Sequence, residues 1–99
     1  MESKEVILIV KATVNPDEME SFNAYIDRLT ELFAKVKAES IGHFLIKETL
    51  VGNELPSFIG IYKFKSKKTL NAVYGTTEYI NKMIPLRNKG FKRLEVYLS

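Results

Sequence analysis

Hydrophobic and polar positions change their period several times along this 99-residue chain. Val6 to Val14 is apolar and β-branched with no helical repeat. Val6, Leu8, Val10, Ala12 and Val14 share one face, and Ile7 and Ile9 share the other before Lys11 and Thr13. A strand with one face in water alternates more cleanly, so the pattern predicts a strand in a sheet covered on both sides. Asn15 then reads as a helix N-cap, with Pro16 at the first helical position and Glu18 three residues after the cap, as in a capping box. Met19, Phe22, Ile26, Leu29, Phe33 and Val36 draw one apolar stripe. The stripe predicts a helix to about Glu39, stopped near Gly42. The same spacing suits a coiled coil, but one helix crossing a sheet is the commoner cause.

The second half repeats the alternation. His43 to Leu50 predicts strand two, Val51 to Pro56 a connection rich in turn residues, and Ser57 to Phe64 strand three, together a hairpin. Ser66 can cap a short helix through Leu70, Val73 and Tyr74, which Gly75 interrupts. Thr76 or Thr77 can cap a further segment with Glu78 in its first turn. Pro85 ends or kinks that segment, and Gly90 closes the region before strand four, Phe91 to Leu98. The order strand, helix, strand, strand, helix, strand is the split βαβ arrangement of ferredoxin-like α+β domains. Right-handed crossovers put strands one and three at the centre of a four-stranded antiparallel sheet. Both helices then cover one face. The other face carries Ile7, Ile9, Phe44 or Leu45, and Tyr97, and an apolar surface of that kind rarely stays in water. The expectation is a homodimer whose two sheets pack face to face around a barrel-like space.

Composition narrows the chemistry. There is no cysteine, which excludes disulfide scaffolds, thiolate metal sites and cysteine nucleophiles. A net charge of +3 is an ordinary solubility charge. The cluster Lys63, Lys65, Lys67 and Lys68 falls on a strand end and helix start. Lys89, Gly90 and Phe91 open like an RNA-recognition signature, but Lys92 and Arg93 stand where a small residue and an aromatic belong, so no nucleic-acid partner is expected. Acylphosphatases share the size and element order, yet their glycine-rich phosphate loop is replaced by Asn15 and Pro16. The leading MESKEVILIV has acids before a five-residue apolar run, unlike a secretion signal. No stretch reaches the roughly 20 apolar residues of a membrane span. A cytoplasmic protein without membrane partners is expected.

Several segments resemble a bacterial family of small uncharacterised proteins in the dimeric α+β barrel superfamily, which also holds the antibiotic-biosynthesis monooxygenases and muconolactone isomerases. The resemblance rests on Phe64-Lys65-Ser66, on Tyr74-Gly75-Thr76-Thr77-Glu78-Tyr79, on Pro85-Leu86-Arg87 and more weakly on Gly42 to Lys47. It differs in Thr77, where the family favours proline, and in His43, where it often has arginine. Glu48 and Thr49 replace a usual glycine pair, and the stretch before Pro85 is one residue longer. The resemblance implies the fold and a dimer more firmly than a reaction.

Candidate chemistry is sparse. His43 is the only histidine. Histidine titrates near neutral pH and can serve as a general base, and the start of strand two can point it into the inter-sheet space. A lone histidine at a strand edge is also an ordinary structural residue, and without a second ligand it makes no metal site. Arg87 can anchor a carboxylate through its planar fork, or pair internally with Glu78 or Glu95. Glu78 can face a substrate or simply favour a helix start. Tyr62, Tyr74 and Tyr97 can wall a pocket with a ring and a hydroxyl, or be plain core. Lys11 and Lys47, set among apolar neighbours, need partners such as Glu48 or Glu95. These residues suggest a small-molecule-binding homodimer holding a polar-aromatic or carboxylate metabolite between sheet and helices. As an enzyme it would need no cofactor: proton transfer, isomerisation or oxygenation, with His43 as base and Arg87 as anchor. The alternative is a binding or regulatory dimer without catalysis.

Overall fold

A computed structural model describes residues 4–99; the first three, Glu2 among them, lie outside the described residues. Four strands, β1 (Val6–Val14), β2 (Glu39–Leu45), β3 (Phe58–Phe64) and β4 (Phe91–Leu98), form one antiparallel sheet in the order β2-β3-β1-β4. Strands one and three are central, as the crossover rule requires. The helices are α1 (Met19–Lys35), α2 (Lys67–Tyr74) and α3 (Ile84–Gly90), the last preceded by a π turn over Tyr79–Met83.

Local chemistry explains most boundaries. Asn15 does cap, its Oδ1 accepting from Asp17 N at 3.1 Å, but the first turn is 3₁₀ over Pro16–Glu18. No capping box forms, because the Asn15 N–H donates to Gly90 O at 2.9 Å instead of to Glu18. The first helix ends at Lys35, four residues before the expected Glu39. Lys37 adopts φ +58°, and the bonds Lys37 N to Ala34 O and Ala38 N to Phe33 O close a Schellman motif that usually carries glycine. The chain therefore enters β2 early, at Glu39 rather than His43. A bulge at the exposed Ile41 shifts its register against β3, and residues 46–57 form a connection longer than the expected one. Ser66 caps α2 through a 3.1 Å bond from Thr69 N, and Thr76 Oγ1 accepts from Tyr79 N at 3.1 Å.

All helices lie on one side of the sheet. Leu8 and Ala12 from β1 and Phe58 and Phe64 from β3 meet Tyr25, Leu32 and Phe33 of α1, Val73 of α2 and Met83 of the π turn. Gly90 at the end of α3 touches the backbone of α1: an added Cβ would stand 2.8 Å from Phe22 Cα. A bidentate ion pair fixes α1 to the turn before α3, with Arg28 Nη2 donating to Glu78 Oε1 at 2.7 Å and Arg28 Nε to Oε2 at 2.5 Å.

With one helical layer, the molecule is only 16 Å thick in its thinnest direction. The uncovered sheet face carries Ile7, Ile9, Ile59, Ile61, Phe44 and Tyr97, which the strand register aligns. Leu45 opposes Phe58 and so lies on the helix side, leaving Phe44 as the apolar residue of that pair on the open face. Lys11 also lies on the open face, paired with Glu54 at 3.3 Å and with Glu95 at 3.6 Å. Arg93 pairs with both of those carboxylates. The Tyr97 hydroxyl, with the Arg93 and Lys11 charges, holds the Glu95 carboxyl below the usual range. Among the described residues no helix is long and apolar enough to cross a membrane.

Two outcomes test this packing. Gly90→Ala forces α3 away from α1 and is expected to lower unfolding stability by about 1–3 kcal/mol, read by urea denaturation. Arg28 holds the Glu78 carboxyl below its ordinary value of 4.5. A carboxylate depressed in the folded state stabilises it fully above the unfolded-state value, and that contribution is lost as pH falls through the folded value. Thermal melts from pH 7 to pH 3 are expected to show a shallower acid-side loss in Glu78→Gln than in the parent, with a lower melting temperature at pH 7.

Candidate functional site

The interlayer space between helices and sheet holds a row of cavities running across the strands. At the β4 end, a cavity of about 260 Å³ is lined by Leu8, Leu70, Tyr74, Tyr79, Arg87 and Val96, with Tyr97 and Leu98 at its rim. A central void of about 30 Å³ lies between Tyr62 and Tyr74. At the β2 end, a cavity of about 360 Å³ is lined by Phe22, Ile26, His43, Ser57, Phe58 and Tyr62, among others.

The π turn builds the first of these. Its wide i to i+5 ring, closed by Ile84 N on Tyr79 O, presents Tyr79 to the interior, where it is 2% exposed. Pro85 sits at the start of α3, where its missing N–H is tolerated. Arg87, one turn on, donates to Tyr79 Oη at 3.3 Å and lies 5.9 Å over the Tyr79 ring. Tyr79 Oη shares a 2.7 Å hydrogen bond with Tyr25 Oη, and Tyr74 packs edge-on at 4.8 Å between centroids. Burial pushes the Tyr25 and Tyr74 hydroxyls well above their ordinary range, so they remain protonated. Among the described residues the ion pairs employ Arg28, Arg93, Lys11 and Lys63, leaving Arg87 without a carboxylate. The result is an apolar cavity with one cation and a set of hydroxyl donors at its wall, a place for an anion on an apolar body.

The structure brings Arg87 and Tyr74 together and adds Tyr25 and Tyr79, which the sequence reading did not select. Tyr25 was visible in principle, since Tyr25, Leu29 and Leu32 widen the stripe of α1 at helical spacing. Glu78 is held by Arg28 and lines none of these cavities. Tyr62 separates the central void from the β2-end cavity. Tyr97 projects to the open face, where its hydroxyl donates to Glu95 Oε2 at 3.1 Å. His43 is exposed on the edge strand and points to the helix side, not into the inter-sheet space: it opposes Gly60, and its ring lies 4.8 Å from that of Phe58. His43 and Arg87 therefore line separate cavities, His43 the one at the β2 end and Arg87 the one at the β4 end. Among the described residues no three His, Cys, Asp or Glu side chains gather as a metal site.

Compared with family models and with curated protein sequences, the chain matches none. Solved structures do match. A protein of unknown function from Rhodopseudomonas palustris superposes with a TM-score of 0.85 at 12% identity, over 99% of this chain and 82% of that one. SnoaB, a cofactor-independent oxygenase from Streptomyces nogalater, gives a TM-score of 0.63 at 18% identity, over 98% of this chain and 92% of its own. A putative antibiotic biosynthesis monooxygenase from Nitrosomonas europaea gives 0.63 at 15% identity, over 100% and 91%. At these identities the likeness is one of fold: the chain has the ferredoxin-like α+β architecture shared by SnoaB and the antibiotic-biosynthesis monooxygenases.

Proposed function

We propose that this chain is a small-molecule-binding homodimer whose Arg87 cavity takes a compact organic anion. The observation that carries the reading is Arg87 itself, which has no carboxylate partner among the described residues and stands at an apolar cavity beside the Tyr74 and Tyr79 rings. Guanidinium grips a carboxylate through two parallel bonds, and Tyr74 and Leu70 supply apolar contact to the rest. The same donors stabilise the conjugate base of an acidic enol or phenol. Proton transfer, isomerisation and cofactor-independent oxygenation all start from such an anion, and SnoaB, described as a cofactor-independent oxygenase, shares this fold. One observation favours binding without catalysis: Tyr25 and Tyr74 are donors rather than bases, and His43 serves as base only toward a ligand lying in its own cavity.

The second copy is inferred from the open face. Ile7, Ile9, Ile59, Ile61 and Phe44 form a contiguous apolar surface on one side of a two-layer molecule. The connection before β3 separately exposes Leu50 and Val51. The charges beside this surface are paired within the protomer, so covering them strands no lone ion.

Sedimentation at micromolar concentration is expected to give a dimer, and Ile61→Lys a folded monomer; a monomeric parent sinks the dimer. Titration calorimetry with 2-naphthoate is expected to show saturable binding that Arg87→Gln weakens by tenfold or more and Tyr79→Phe by a few-fold. Equal binding by Arg87→Gln refutes the anion site. Oxygen uptake with acidic phenols and 1,3-dicarbonyls separates catalysis from binding alone.

A further inference from the structure

The cavity at the β2 margin has its own chemistry. The α1 helix packs alongside α3 and leaves the helix-side surface of β2 open, so Ser40, His43 and Leu45 of that strand are exposed. Gly60 forms the floor beneath. A Cβ there would stand 2.9 Å from both Tyr62 Cε2 and Tyr62 Oη, so the Tyr62 ring reclines across the glycine with its hydroxyl above it. Gly60 is also the residue directly opposite His43 in the β2–β3 ladder. The hydroxyl and the imidazole therefore line one cavity from adjacent strands.

The described hydrogen bonds engage neither group, whereas Ser57 Oγ already accepts from Val14 N at 3.0 Å. Burial raises the Tyr62 hydroxyl above its ordinary range, so it stays a donor. Around the pair stand Phe22, Ile26, Phe58 and Val14, and the lining holds no carboxylate, lysine or arginine. The wall rings Phe22 and Phe58 lie tilted with centroids 6.4 Å apart, and the His43 ring extends the same aromatic surface.

We propose that the His43–Tyr62 cavity is a second ligand site, separate from the Arg87 cavity, which takes a neutral flat aromatic alcohol of the phenol class. The ligand ring lies on Phe58 and Phe22. Its hydroxyl donates to an imidazole nitrogen of His43 and accepts from Tyr62 Oη, with no net proton transfer. An anion is disfavoured because the lining supplies no lysine or arginine to offset its desolvation. The central void between the two sites has a volume of about 30 Å³, too small for an aromatic ring.

The probes are 2-naphthol and 2-naphthoate, which differ in charge and share the ring system. Proton NMR is expected to show 2-naphthol shifting the His43 ring signals, with the Tyr79 ring signals unmoved. Titration calorimetry is expected to show about fivefold weaker 2-naphthol binding in Tyr62→Phe and in His43→Gln, both of which keep the side chain's bulk. Both variants are expected to bind 2-naphthoate as the parent does, and Arg87→Gln to bind 2-naphthol as the parent does, so a failure of one site is distinguished from a failure of the other. Absence of saturable 2-naphthol binding overturns the proposal. So does binding that survives both substitutions, or binding that shifts Tyr79 instead of His43.

Discussion

A four-stranded sheet has two faces to bury, and this chain has helices for one. The rest of the structure follows from how those helices sit. Gly90 lets the end of α3 press against the backbone of α1 at Phe22, and Arg28 clamps α1 to Glu78 beside the π turn. Both contacts tie α1 to α3 and the turn before it. That side closes around Tyr25, Tyr79 and Arg87, while the β2 margin stays uncovered. The two cavities thus flank one helical layer, one at each end.

The legible part of the fold was the part written in local chemistry. Ser66, Thr76 and Asn15 act as caps because a short polar side chain reaches N–H groups two or three residues on, a relation contained within a few positions. The central place of β1 and β3 follows from element order and handedness. The boundaries that moved did so where the usual marker was missing. Lys37 holds a left-handed position that glycine ordinarily occupies, so the end of α1 carried no visible stop. The chain then turned four residues sooner, β2 began at Glu39, where Lys63 faces it with an ion pair at 3.2 Å, and the bulge at Ile41 absorbed the mismatch.

The candidate site was legible by residue type and illegible by pairing. Arg87 and Tyr74 stand out in sequence and do meet at one cavity. The contacts that complete the site join positions about fifty residues apart, Tyr25 with Tyr79 and Arg28 with Glu78, and no periodicity reports those. In sequence Tyr97 looks like the other tyrosines, yet strand alternation puts it on the opposite face with Ile9. The π turn that Tyr79 begins fits one more residue into a turn of helix, and nothing in the local sequence marks it.

The open face has one further property. Lys11, Arg93, Glu54 and Glu95 are two cations and two anions within contact distance of one another. Their fields largely cancel a short way above the strands, so an approaching surface feels little long-range pull or push there. Encounter on this side is governed by fit and by greasy contact rather than by steering. Salt then acts on its speed through the chain's overall charge of +3 rather than through this cluster.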